Sequence, residues 1–149
     1  VVILKDSAPI IAYALREPAG SRFAKEAQAR WRTRLIESSA EAANIEQVLA
    51  GVKDCDVVLV AVCARVTAYK GSAALGPAHA AVLRALDEAN VPTVAAVLGN
   101  PYVLPHIPQR ATTLLTFESA LQAEIAAIRA IAGEVPARGR SPVKLPSEL

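Results

Sequence analysis

Apolar residues fall along this chain in two kinds of run, and the difference between them predicts its fold. Val57-Val58-Leu59-Val60-Ala61-Val62 and Val94-Ala95-Ala96-Val97-Leu98 are continuous and rich in β-branched side chains. A strand that is apolar at every position has no face to offer to water, so both runs belong inside a parallel sheet covered on two sides. Residues 77–89, between them, read as a helix. Pro77 suits its first turn, where a missing N–H costs nothing, and Asn90 suits the left-handed stop. Strand, helix and strand together make a βαβ unit.

Helical spacing recurs on either side of that unit. Upstream, Ser38 and Glu41 have the separation of a capping box, Ile45, Val48, Leu49 and Val52 form an apolar stripe, and Gly51 marks the helix end. Downstream, residues 113–117 read as another strand and Ser119 with Gln122 as a second capping pair. Leu121, Ile125, Ile128 and Ala132 then form the inward face of a helix that Gly133 ends. Nearer the start, residues 10–15 and 33–36 are weaker strand candidates flanking a helix over 21–31, in which Phe23, Ala27 and Trp31 align at fourfold spacing. The alternation of strand and helix predicts an α/β fold with a doubly wound, mostly parallel sheet and helices on both faces, a flavodoxin-like α/β sandwich. One such domain fills residues 1–149. Residues 1–9 give it an incoming strand. Residues 134–149, with Pro136, Pro142 and Pro146, form a closing segment in which Pro142-Val143-Lys144-Leu145 can add an edge strand.

Composition narrows the partners. The chain has 149 residues, 53% of them apolar, which excludes disorder and allows about two-thirds of the unfolded surface to be buried without disulfide or metal. Sixteen Lys and Arg against fourteen Asp and Glu give a net charge of +2, short of the basic excess of a nucleic-acid-binding domain. Arg30, Arg32 and Arg34 around Trp31 resemble a base-stacking patch, but their alternation across a helix end and an edge strand makes them a solvated face. Cys55 and Cys63 sit at opposite ends of one extended run, more than ~20 Å apart at ~3.3 Å per residue, too far to pair. Two buried free thiols fit a reducing compartment. No stretch approaches the ~20 apolar residues of a membrane span, and no signal-peptide pattern is present. The chain contains no methionine and opens inside the apolar run Val1-Val2-Ile3-Leu4, a start that predicts further polypeptide upstream.

Ligands of a doubly wound sheet sit beyond the carboxyl ends of its strands. The loop after residues 57–62, from Ala64 to Ser72, offers Arg65, Tyr69 and Lys70 to an anion or a sugar, and reads equally as a solvent loop with basic residues. Neither a G-x-G-x-x-G fingerprint nor a Walker A pattern follows any strand. A receiver-type phosphorylation site would need an acidic residue where the third strand ends, and Cys63-Ala64-Arg65 stands there. His79 and His106 lack metal-ligand spacing and read as a helix-surface residue and a turn residue. Ser72 lacks the nucleophile elbow. Glu118 reads as a carboxylate near a helix start. No complete active site assembles from these residues, and none calls for a cofactor.

Motif order becomes specific after the second continuous strand. Gly99-Asn100-Pro101-Tyr102 is followed by Leu104-Pro105-His106-Ile107-Pro108, a Thr/Leu strand, an Ala-rich helix and Gly133-Glu134-Val135-Pro136. The ending is Gly139-Arg140-Ser141-Pro142-Val143-Lys144-Leu145-Pro146. This order resembles the C-terminal domain of glycoside hydrolase family three, in its β-N-acetylglucosaminidase branch. Val1-Val2-Ile3-Leu4-Lys5-Asp6 looks like the strand by which such enzymes leave their catalytic barrel. Ala64-Arg65-Val66 with Gly71-Ser72 is similar to the loop after their third strand, so the resemblance covers essentially the whole chain. Asn100 suits an exposed turn with positive φ, Pro101 fixes the next φ, and Tyr102 can set its ring at the sheet edge while its hydroxyl reaches a neighbouring domain. The same triplet also serves as a plain strand-to-helix turn.

The resemblance implies a parent enzyme that releases β-linked sugars with retention, through an aspartate nucleophile on an N-terminal (β/α)8 barrel. Retention needs a second acid/base group about 5 Å from the nucleophile. In the glucosidase branch that group is a glutamate from the second domain, and in the N-acetylglucosaminidase branch it looks to be a histidine on a barrel loop. No residue here matches the nucleophile, and a barrel takes ~250 residues of its own. The implied role is therefore that of an accessory domain, catalytically silent alone, partnered by the barrel of its parent and through it by carbohydrate. Arg65, Tyr69, Lys70, Asn100, Pro101 and Tyr102 would lie at the substrate rim or barrel interface. Self-association of the isolated domain through its uncovered surface also follows. The residues alone leave an alternative, an independent flavodoxin-like module that binds a small anionic ligand or a partner protein through the same loops.

Overall fold

β3 (Val58–Ala64) and β4 (Thr93–Gly99) lie side by side in the middle of a five-stranded parallel sheet. The computed structural model describes residues 2–5, 20–37, 42–52, 55–64 and 75–145. Within them, β1 (Val2–Lys5), α1 (Ser21–Gln28), β2 (Arg34–Glu37) and α2 (Ala42–Val52) precede β3. α3 (Pro77–Glu88) joins β3 to β4, and a 3-10 helix (Pro101–His106), β5 (Thr112–Leu115) and α4 (Leu121–Ile131) follow. The strand order β2-β1-β3-β4-β5 is that of a doubly wound, flavodoxin-like sheet, with its switch point between β1 and β3.

Side-chain alternation along β3 divides the core in two. Val58, Val60, Val62 and Ala64, with Ala95 and Val97 of β4, pack against Val48 and Val52 of α2 and Val82, Leu83 and Leu86 of α3. Val103 of the 3-10 helix and the adjoining Ile107 join them. Leu59, Ala61 and Cys63, with Ala96 and Leu98, meet Phe23 and Ala27 of α1 and Ala127 and Ile128 of α4. Each buried Val, Leu, Ile or Phe among these contributes roughly 1.5–3 kcal/mol, so the two strands that are buried on both faces hold both layers of helices.

The α1/α4 layer is also fixed by polar contacts. Gly20, at the N-cap of α1 with φ 79°, has no side chain to cap the helix. Glu124 of α4 does this instead: its buried carboxylate accepts from the backbone N–H of Gly20 at 2.6 Å and of Phe23 at 2.9 Å. At the other end, Gly133 (φ 76°) donates its N–H to the Ala130 carbonyl and Glu134 to that of Arg129, a Schellman stop for α4. The Glu134 carboxylate then bridges Arg30, just past α1, at 2.9 Å and Arg129 at 3.1 Å. The hydrogen bond from Arg30 holds the Glu134 carboxyl below the usual carboxylate range.

Several elements differ from the pattern reading, each for a local reason. α1 stops at Gln28, so Phe23 and Ala27 are fully buried as their spacing predicts while Trp31, beyond the helix, is 37% exposed. α2 runs through Gly51 to Val52 rather than ending at the glycine. β5 ends at Leu115, because Phe117 takes φ 57° and turns the chain. Ala120 is the N-cap of α4, without a side-chain bond, so Ser119 and Gln122 form no capping pair. The inward face of α4 is Glu124, Ala127 and Ile128, with Leu121 and Ala132 left exposed, because the helix is rotated to bring Glu124 onto α1. Pro142-Val143-Lys144-Leu145 is no strand: the Ser141 hydroxyl donates to the Val143 carbonyl and accepts from the Val143 N–H, which closes a turn. Pro77 in the first turn of α3 and Asn90 at φ 54° behave as read. Residues 10–15 and the pair Ser38 and Glu41 lie outside the described residues.

Removing the carboxylate that joins the two helices leaves two buried N–H donors without an acceptor. Glu124→Ala is expected to lower unfolding stability by about 3 kcal/mol, and Glu124→Gln by less, since its amide oxygen can still accept. Urea unfolding of the three proteins measures this.

Candidate functional site at the carboxyl ends of the strands

The last residues of β3 and β4, Ala64 and Gly99, are level in the parallel register and close together. Gly99 has φ 109°, and a Cβ placed on it would stand 2.3 Å from the Ala64 carbonyl oxygen, so only glycine fits. The approach lets the Asn100 N–H donate to that same carbonyl at 3.0 Å. Asn100 itself is extended, at φ −72°, and buried. The positive φ expected at this asparagine falls instead on Gly99, which has no Cβ to obstruct it.

Asn100 caps the 3-10 helix. Its Oδ1 accepts from the Tyr102 N–H at 3.0 Å, while Pro101 occupies the first helical position, where its lack of an N–H leaves nothing unsatisfied. Val103 is buried in the core and anchors the turn, whereas Tyr102 beside it is 54% exposed. An aromatic ring with a hydroxyl is thus presented to solvent from backbone fixed on both sides. The neighbouring shoulder follows β5: the Thr116 N–H donates to the Val97 carbonyl, its hydroxyl donates to the Glu118 carbonyl, and Phe117 makes the turn between them. Glu118 is exposed and lies ahead of α4 rather than in its first turn.

Asn100, Pro101 and Tyr102 are therefore brought together at this edge. Arg65, Tyr69, Lys70 and Ser72 lie outside the described residues. Two buried polar residues escape the sequence reading. His79 is not on the surface of α3 but on its inward stripe with Ala78, Val82, Leu83 and Leu86. Its three- and four-residue spacing to Val82 and Leu83 is the signal that marks it. Glu124 stands in the same relation to Ala127 and Ile128.

Among the described residues no group of three or more His, Cys, Asp or Glu could hold a metal ion. Both cysteines are free. Cys63 is buried in β3, but Cys55 precedes that strand and is only half-buried, with its Sγ 3.1 Å from Arg32 Nη2. A shallow depression of about 280 Å³ lies at the opposite, amino end of the sheet, between Leu86, Asn90, Val91, Pro108 and Arg110. There the Arg110 guanidinium donates to Asn90 Oδ1 beside the C-terminal end of α3, where a cation is favoured.

No protein-family model and no curated protein matches the chain. Solved structures do share its fold. A fungal multi-domain GH3 β-N-acetylglucosaminidase, described as containing a GCN5-related glucosamine N-acetyltransferase region, aligns with 97% of this chain at TM-score 0.67 and 20% identity. A glycoside hydrolase family 3 β-N-acetylglucosaminidase from Paenibacillus sp. str. FPU-7 aligns with 93% of it at TM-score 0.63 and 15% identity. The chain has the fold of a part of these enzymes. It spans only 15% and 26% of their lengths. The likeness read from the order of the motifs is thus present in three dimensions, and at these identities the fold is what is shared.

A side chain at position 99 meets both a backbone carbonyl and a disfavoured φ. Gly99→Ala is expected to cost about 2–3 kcal/mol or more, and to expose the Asn100 turn to faster amide exchange than the rest of β4. Denaturant unfolding with hydrogen exchange checks both parts.

Proposed function

We propose that this chain is the accessory α/β domain of a retaining family-three glycoside hydrolase of β-N-acetylglucosaminidase type, with the bond-breaking groups on a (β/α)8 barrel elsewhere in the parent polypeptide. The observation that carries this reading is the fold likeness, which takes in nearly all of this chain but only a minor part of each family-three enzyme. In this reading residues 1–149 are one domain. Residues 1–9 bring the polypeptide in from the barrel, and residues 134–149 close the domain.

The carboxyl edge is the side turned toward the barrel. Asn100 and Pro101 hold the turn, and Tyr102 supplies a ring that packs on the barrel rim or on a sugar face and a hydroxyl that bonds across the junction. Arg65, Tyr69 and Lys70, in the segment directly after β3, join the same rim. Carbohydrate is met through the assembled parent, and the chemical step stays with the barrel.

Kinetics of the parent enzyme on an aryl N-acetylglucosaminide test this placement. Tyr102→Ala is expected to raise KM about tenfold, the ~1.4 kcal/mol of one lost contact, with kcat nearly unchanged. Tyr102→Phe separates ring from hydroxyl. Unchanged KM together with unchanged thermal stability of the parent would return Tyr102 to the ordinary surface.

A further inference from the structure

β5 closes one side of the sheet, with β4 as its one strand neighbour among the described residues. Its bonding to β4 decides which of its backbone groups look outward. The Thr116 N–H donates to the Val97 carbonyl, and Val97 is level with Leu115. In a parallel ladder that bond commits residues 112, 114 and 116 to β4, and it turns the N–H and C=O of Thr113 and Leu115 to the open side. Thr112 and Thr113 are exposed, while Leu114 and Leu115 are half-buried.

This edge lacks the usual guards. Open sheet edges are ordinarily blunted by charged side chains, proline or a bulge. The opposite edge strand, β2, contains Arg34 and Glu37. β5 reads Thr-Thr-Leu-Leu, without charge or proline. Charges stand just beyond its ends: Arg110 precedes it by two residues and Glu118 follows it by three, and both are exposed. The Arg110 guanidinium donates to the neutral Asn90 Oδ1, so its positive charge remains. The strand is thus bounded by a cation at its start and an anion at its end.

That polarity selects the direction of a further strand. A parallel copy of β5 would set Arg110 beside Arg110 and Glu118 beside Glu118. An antiparallel copy brings each Arg110 to the end of the strand where Glu118 of the other copy stands, about a two-fold axis. With the axis at Leu114, Thr113 stands opposite Leu115 of the second copy, and Leu115 opposite Thr113. These are the residues whose backbone groups point outward, so both pairs exchange their hydrogen bonds. The two Leu114 residues then form a close non-hydrogen-bonded pair, with Cα atoms about 4.5 Å apart, beside the α1/α4 core on which Leu114 already packs. An axis at Thr113 or Leu115 would count Arg110 against Thr116 or Ala120 instead, and the charges would no longer meet.

We propose that β5 pairs antiparallel with β5 of a second copy of this chain, centred on Leu114, so that one sheet runs through both copies. The pairing uses the side of the sheet and not its carboxyl rim, and it stands independently of the accessory-domain reading above. A second copy is the occupant because the edge is complementary to itself in charge and in its outward hydrogen-bonding groups.

Sedimentation equilibrium of the 149-residue chain over a wide concentration range tests this. A reversible dimer is expected. Thr113→Pro removes an outward N–H at an edge position where proline is tolerated, and is expected to weaken the dimer at least about tenfold while the monomer keeps its circular dichroism. Arg110→Glu and Glu118→Arg are each expected to weaken it about fivefold, and the two together to regain most of the loss. Under oxidation Leu114→Cys is expected to cross-link two copies, unlike the wild type or Thr112→Cys, whose counterpart lies four residues along the ladder. A chain that stays monomeric at every concentration would overturn the pairing. So would a dimer that a folded Thr113→Pro leaves intact, or a double charge reversal no tighter than either single one. The charge cycle and the cross-link decide the matter without Thr113→Pro if that variant does not fold.

Discussion

A strand with apolar side chains on both faces must be covered on both, and β3 and β4 impose that requirement on everything around them. Val60, Val62, Ala61, Ala95, Ala96, Val97 and Leu98 are fully buried, with alternate side chains committed to opposite layers. Parallel neighbours need crossover helices, and right-handed crossovers on either side of the switch point send those helices to different faces. α2, α3 and the 3-10 helix form one cover, and α1 with α4 the other. The second layer is built from helices distant in sequence, and it is there that a buried carboxylate appears. Burial of Glu124 is costly for an unpartnered charge, but two backbone donors and the positive end of α1 offset it. The contact is thus both a cap for α1 and a fixed registration between α1 and α4.

The same arrangement fixes the turn at the carboxyl ends of β3 and β4. Close approach of Ala64 and Gly99 leaves no room for a reactive side chain at the end of β4, and Asn100 spends its side chain on the next turn of backbone. Among the described residues, the turn there presents Tyr102 to solvent.

How much of this was legible in the sequence depends on whether the signal was local. The two continuous apolar runs, the helix over 77–88 and its stop at Asn90 were readable because burial on every side, proline geometry and a positive φ each leave a mark within a few residues. The face of α4 was not. Leu121 and Ile125 look inward by composition, yet the helix turns Glu124 to the core because its acceptor duty is toward Gly20 and Phe23, more than a hundred residues away in sequence. His79 was hidden in the same way, as a polar residue on an otherwise apolar stripe. At the site, the Asn-Pro-Tyr turn was readable as a turn, but not that Gly99 would take the positive φ, since that follows from contact with a neighbouring strand. Arg65, Tyr69 and Lys70 rest on loop position alone.

In the role proposed above, this domain supports glycoside hydrolysis without performing it. The most direct measurement is release of the aryl group from an aryl β-N-acetylglucosaminide by the purified 149-residue chain, set beside its parent enzyme at equal molar concentration. Turnover is expected from the parent and none above background from the chain alone. Hydrolysis by the chain that survives repurification and is lost on mutation of a carboxylate within it would contradict the accessory role.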